Sequence, residues 1–93
     1  MIKSFREAET EKVFNRRFSR RLPQDIQSVA LRKLRMISNA VDVNDLRSPP
    51  ANRLEQLSGD RHGQYSVRVN DQWRICFLWR DGDAYEVEIC DYH

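Results

Sequence analysis

The stretch "QYSVRVNDQWRICFLWRDGDAYEVEICD", residues 64–91, decides the fold. Within it Tyr65, Val67 and Val69 alternate with Gln64, Ser66 and Arg68, and Trp73, Ile75, Phe77 and Trp79 alternate with Arg74, Cys76 and Leu78. Tyr85, Val87 and Ile89 alternate in the same way with Glu86, Glu88 and Cys90. A period of two marks strands that bury one face. The connections around Asn70-Asp71 and Asp81-Gly82 are short enough to join the three as consecutive antiparallel hairpins.

Register follows from parity, because a slip of one residue turns every side chain of a strand to the other face. A three-residue loop at 70–72 sets Val67 opposite Ile75 and Arg68 opposite Arg74. The same loop length at 81–83 sets Phe77 opposite Val87, Ile75 opposite Ile89 and Arg74 opposite Cys90, with Tyr85 in the apolar set. One face of the sheet then packs on helices. The other collects Arg68, Arg74, Glu88 and Tyr92, with Asp91 and His93 at the open end of the last strand.

Upstream, "REAETEKVFNRRFSRR" (6–21) reads as a first helix, with acids early, arginines late, and Phe14 and Phe18 on one face. A second helix is expected to open at Pro23, since Ile26, Ala30, Leu34 and Ile37 recur at helical spacing. Residues 42–63 break the pattern: "SPP" forbids helix, "SGDRHG" carries turn chemistry, and "NRLEQL" between them is strand-like. "IKSF" (2–5) reads as an edge strand. The whole predicts one α/β (α+β) domain over residues 1–93, two N-terminal helices packed on a twisted antiparallel sheet.

Ninety-three residues support a modest core, burying about 60% of the surface exposed in the unfolded chain. With 40% hydrophobic and 32% charged residues, the chain is too apolar for disorder and too polar for a membrane protein. The beginning, "MIKSFREAET", lacks the apolar middle of a secretory signal, so the expected location is the cytoplasm. Cys76 and Cys90 show no metal-ligand spacing and read as free thiols. The net charge of +2 conceals an asymmetry: residues 1–35 hold ten Lys or Arg against four acids, and residues 36–93 hold six against ten. "RRFSRR" (16–21) is the densest basic run, suited to a polyanion or to a solvated helix end. Lys33 and Arg35 read as solvent-facing, and His62 as a turn residue.

A phenol and an imidazole delivered beside an arginine are the parts needed to cleave an RNA phosphodiester. That reaction asks for a base at the 2′-hydroxyl, a cation for the charge building on phosphorus and an acid for the departing oxygen. Imidazole titrates near neutrality and arginine keeps its proton.

The run "NRLEQLSGDRHGQYSVRVNDQWRICF" (52–77), with the closing "DYH" and the upstream "DLRSPP", resembles the HigB-like branch of the RelE toxin superfamily, also called plasmid-maintenance killer proteins. The resemblance implies a toxin of a type II toxin-antitoxin system, a ribosome-dependent mRNA endonuclease that cuts the codon in the A site without a metal or other cofactor. It also implies a HigA-like helix-turn-helix antitoxin through which alone the pair touches operator DNA. By the same resemblance, Arg74 steadies the scissile phosphate, Tyr92 and His93 position the RNA and move protons, and Asp91 supports them. Arg16, Arg17, Arg20, Arg21 and Arg68 become expected contacts to ribosomal RNA. Several members have histidine where this chain has Glu55 and lysine where it has Ser58, which removes positive charge. Glu55 then becomes a candidate base, provided that burial raises its pKa. Two alternatives remain on the same residues: a ParE-like toxin that poisons gyrase, and a non-catalytic RNA-binding module.

Overall fold

The computed structural model describes residues 1–61 and 63–91; His62, Tyr92, His93 and the side chain of Arg61 lie outside the described residues. Two helices, α1 (Ala8–Phe14) and α2 (Gln24–Asn39), precede a four-stranded sheet of β1 (Glu55–Gln56), β2 (Gln64–Arg68), β3 (Trp73–Arg80) and β4 (Asp83–Asp91). The strand order is β1-β2-β3-β4, every neighbour antiparallel. Three short 3-10 turns fill the link between α2 and β2. The helical stripe and the strand alternation meet in one core: Ile26, Ala30, Leu34 and Ile37 of α2 pack with Val67, Ile75, Phe77, Val87 and Ile89. Among the described residues, no helix is long and apolar enough to cross a membrane.

The β2–β3 register is the expected one, Val67 facing Ile75 and Arg68 facing Arg74 across a 70–72 loop. The β3–β4 hairpin reaches its expected register by another route. Arg80 pairs directly with Asp83, so the turn is the two residues Asp81-Gly82 rather than three, both at positive φ (53° and 82°). That backbone is the mirror-image turn whose twist suits a hairpin. A bulge then inserts one residue into β4, where Glu86 also takes φ 53°, and pairing resumes with Cys76 opposite Glu88, Ile75 opposite Ile89 and Arg74 opposite Cys90. On the turn side of the bulge the parity is inverted. Tyr85 pairs with Leu78 and lies under the Arg80 guanidinium, 5.2 Å from the ring centre, while Ala84 takes the core position beside Trp79.

"IKSF" does line a sheet edge. Ile2 and Phe5 bridge in parallel to Ala84 and Val87, and the Thr10 hydroxyl accepts the Ile89 N–H at 3.0 Å, so the outer edge of β4 is covered.

The first helix is shorter than expected and stops at Phe14. Its end is a Schellman motif: the Arg17 N–H reaches the Lys12 carbonyl (2.8 Å) and the Arg16 N–H the Val13 carbonyl (3.0 Å). Arg16 sits at the left-handed position, φ 63°, where glycine is usual, and the absence of glycine hid this stop in the sequence. The rest of "RRFSRR" is therefore a loop, held by the fully buried Ser19. Ser19 donates from Oγ to Glu9 (2.7 Å) and from its N–H to Gln27 Oε1 (3.0 Å), and its carbonyl accepts from Gln27 Nε2 (2.8 Å). That hydroxyl is the main reason the Glu9 carboxyl lies below its usual range.

Candidate active site

The polar face of the sheet is organised around Arg74. Its neighbours across the ladder are Arg68 on β2 and Cys90 on β4. Two cations in that position repel unless each is otherwise engaged, and the structure separates their engagements. Arg68 turns to Asp71 in the adjacent loop. Arg74 turns inward and is only 7% exposed.

Among the described residues, four acceptor atoms lie against the Arg74 guanidinium. Nε donates to Ser66 Oγ at 2.8 Å, Nη2 donates to the Arg53 carbonyl at 2.6 Å and to the Ser66 carbonyl at 3.2 Å, and Nη1 lies 3.9 Å from Glu55 Oε1. Ser66 is there by strand parity, two residues before Arg68 on the same face. Arg53 is there because of a local backbone choice: it ends the 3-10 turn Pro50–Asn52 in the left-handed region, φ 44° and ψ 56°, which turns its carbonyl toward β3. That conformation is costly for a residue with a Cβ, on the order of 1 kcal/mol, so something must hold it.

Asn52 holds it. Fully buried, it donates from Nδ2 to the carbonyls of Leu46 (3.2 Å) and Ser48 (3.3 Å), and its Oδ1 accepts from Lys33 Nζ. Lys33 was expected to face solvent; instead it lies in the α2 interface, 4% exposed. Burial, followed by the nearby charges of Arg32 and Arg68, pushes its pKa down. A continuous set of contacts thus runs from α2 through Lys33 and Asn52 to the Arg53 carbonyl and Arg74.

Of the residues expected at the site, the structure brings Arg74 and Glu55 together. Glu55 is on the edge strand β1 with its side chain 52% exposed, so the burial its role as a base required is missing. Asp91 ends β4 opposite Trp73, on the Ile89 parity rather than that of Arg74, and accepts from Gln72 Nε2 at 3.2 Å. Tyr92 and His93 lie outside the described residues. Arg16, Arg17, Arg20 and Arg21 belong to the exposed loop between the two helices, which pack against the apolar strand residues. Cys90 shares the polar face and donates from Sγ to the Glu88 carbonyl at 3.8 Å; the neighbouring Cys76 thiol first, then burial, pushes its thiol pKa up. The sequence reading missed Ser66, Arg53, Asn52 and Lys33. Parity would have found Ser66, but no sequence signal marks a left-handed arginine after a buried asparagine.

Residues 3–93 match the family model described as RelE-like toxin of type II toxin-antitoxin system HigB. The chain is 45% identical over 65 residues to Toxin HigB-1 of Vibrio cholerae, covering 70% of this chain and 68% of that protein. It is 35% identical to Endoribonuclease HigB of Proteus vulgaris over the full length of both. The fold is shared with the YoeB-YefM complex from Staphylococcus aureus (TM-score 0.63, 16% identity, 100% of this chain and 98% of that one). It is shared also with a YafQ mutant from E. coli (TM-score 0.62, 13% identity, 98% and 93%). The chain belongs to the HigB family of RelE-like toxins of type II toxin-antitoxin systems.

Proposed function

We propose that this toxin is an endoribonuclease that cuts mRNA in the ribosomal A site by attack of the 2′-hydroxyl on its own phosphodiester, without a metal, and that a HigA-like antitoxin silences it. The observation that carries the reading is the Arg74 guanidinium, fixed on three sides by Ser66 and Arg53, with a carboxylate standing 3.9 Å from its fourth. A pre-set cation beside a displaceable anion is a suitable seat for the charge of a phosphorane, because it need not reorganise as that charge develops. The Proteus vulgaris relative, named as an endoribonuclease, supports the same class of reaction.

In this mechanism Arg74 meets the scissile phosphate through its Nη1 side, where the substrate takes the place of the half-exposed Glu55 carboxylate. His93 moves the protons, Tyr92 positions the nucleotide and Asp91 supports them through the end of β4. Glu55 is assigned the role of anion displaced by RNA, not that of base. Arg16, Arg17, Arg20, Arg21 and Arg68 supply sequence-independent contacts to ribosomal RNA.

The test is to map mRNA 5′ ends after induction, in cells with translation running and with ribosomes cleared from the message. New ends at codon positions only under translation are expected, and they should vanish when residues 92 and 93 are deleted. Growth arrest without new ends would transfer the chain to the gyrase-poisoning or binding-only alternatives.

A further inference from the structure

RNA cleavage as derived above leaves one buried titratable group without a task. Lys33 lies on α2, 4% exposed, and among the described residues its ammonium has one acceptor, Oδ1 of Asn52. The charges that lower its pKa after burial, those of Arg32 and Arg68, have its own sign. Holding a cation in such a place costs stability, because it gives up water and gains no carboxylate in return. An apolar side chain of similar length would fill the space at lower cost. The ammonium is therefore better explained by what it positions than by what it stabilises.

What it positions is the short turn that presents the Arg53 carbonyl. Asn52 is fixed through backbone and side chain alike: its N–H donates to the Pro49 carbonyl at 2.9 Å, its Nδ2 donates to the carbonyls of Leu46 and Ser48, and the same nitrogen lies 3.7 Å from the Met36 sulfur on α2. The next residue, Arg53, keeps its left-handed backbone and offers its carbonyl to Arg74 Nη2 at 2.6 Å, closer than the two Ser66 acceptors at 2.8 and 3.2 Å. Ser66 holds the Nε edge of the guanidinium, the Arg53 carbonyl holds Nη2, and together they set the direction in which Nη1 points. A reacting group displaced by about 1 Å loses on the order of a hundredfold in rate.

We propose that Lys33 and Asn52 are positioning residues for RNA cleavage: they hold Arg53 in its left-handed conformation so that its carbonyl aims the Arg74 guanidinium at the scissile phosphate. Both are buried, so neither touches RNA. The role rests on the reading of Arg74 as the partner of that phosphate. It makes turnover depend on a side chain of α2 that takes no part in docking.

The experiment uses the full chain with ribosomes loaded with messenger RNA, and measures single-turnover cleavage, ribosome affinity and thermal melting for each variant. A second measurement, on protein with nitrogen-15 arginine and without ribosomes, follows the Nε–H resonance of Arg74, identified by its loss in Arg74→Lys. Asn52→Ala should cut the rate by about 10- to 100-fold, leave affinity within about threefold, shift the Arg74 resonance and speed its exchange with water. Lys33→Met, which leaves the carbonyls of Leu46 and Ser48 their partner, should lose about threefold to tenfold in the same way, and it carries the test where Asn52→Ala fails to fold. Glycine takes the left-handed backbone without help, so in an Arg53→Gly background Asn52→Ala should cost less than about threefold. Native rates in the single variants, a slowed rate with an unmoved Arg74 resonance, equal falls in rate and affinity, or an undiminished Asn52→Ala loss in the glycine background each overturn the positioning role and leave the nuclease reading standing. No cleavage by the native chain overturns the nuclease reading and the positioning role with it.

Discussion

Arginine is treated in two opposite ways within this small domain. Arg74 is 7% exposed and takes its acceptors from Ser66 and the Arg53 carbonyl, whereas the arginines of "RRFSRR" stand in solvent on a loop anchored by a buried serine. A guanidinium in the first setting is part of the architecture and acts through where it is held. In the second, it contributes little to stability and is available to another molecule. Composition cannot tell these apart; the acceptors supplied by neighbouring backbone do.

The largest expected effect comes from destroying the first setting. Arg74→Ala removes the partner of Ser66 Oγ and the Arg53 carbonyl in a largely buried site and should cost about 3 kcal/mol in urea unfolding, while alanine at Arg17 should stay within about 0.5 kcal/mol. Equal losses would erase the distinction. Asn52→Ala comes next, near 2 kcal/mol, because Lys33 and the carbonyls of Leu46 and Ser48 lose their partner together. Hydrogen exchange should then loosen the 46–53 loop before the helices, and uniform loosening would mean that Asn52 serves the whole core. In the second setting, Arg16→Gly should raise stability by roughly 0.5 to 1 kcal/mol, since glycine accepts the left-handed backbone freely. A destabilised Arg16→Gly would show that the arginine side chain holds the loop after all.

Lys33 gives a prediction in slope. Its native pKa is depressed below the ordinary lysine value of 10.5, so unfolding at intermediate alkaline pH takes up a proton and stability rises as pH climbs through that window. Lys33→Met should lose this contribution to the slope, as read from chemical unfolding between pH 8 and 10; an identical slope would place the ammonium in water. The smallest effect is expected at Glu55. Glu55→Gln should leave the acidic limb of the pH–rate profile where it is, because the half-exposed carboxylate is displaced by substrate and not the base. A vanished limb would restore Glu55 as the proton acceptor.

Much of the fold was legible because alternation is a strong signal. Val67 opposite Ile75 and Arg74 opposite Cys90 follow from parity alone. The α2 stripe likewise reads directly from Ile26, Ala30, Leu34 and Ile37. What escaped was backbone in the left-handed region at residues with side chains: Arg16, which ends α1 early, Arg53, which aims a carbonyl at Arg74, and Asp81 with Glu86, which shorten the last hairpin turn and bulge β4. Such conformations are chosen by tertiary contacts, and except at Asp81, where Gly82 completes the Asp-Gly pair of a mirror-image turn, no glycine announces them. The candidate site was legible in its charges but not in its supports, since Lys33 reads as surface until Asn52 is placed against it.

The paired Asp81-Gly82 turn and Glu86 bulge have one more implication. One is a residue shorter than expected and the other a residue longer, so their errors cancel before the strand reaches Cys90. The alignment of β3 with the far end of β4 is thereby insulated from the length of the hairpin tip. Insertion or deletion there can be absorbed by losing or gaining the bulge, leaving the neighbours of Arg74 untouched.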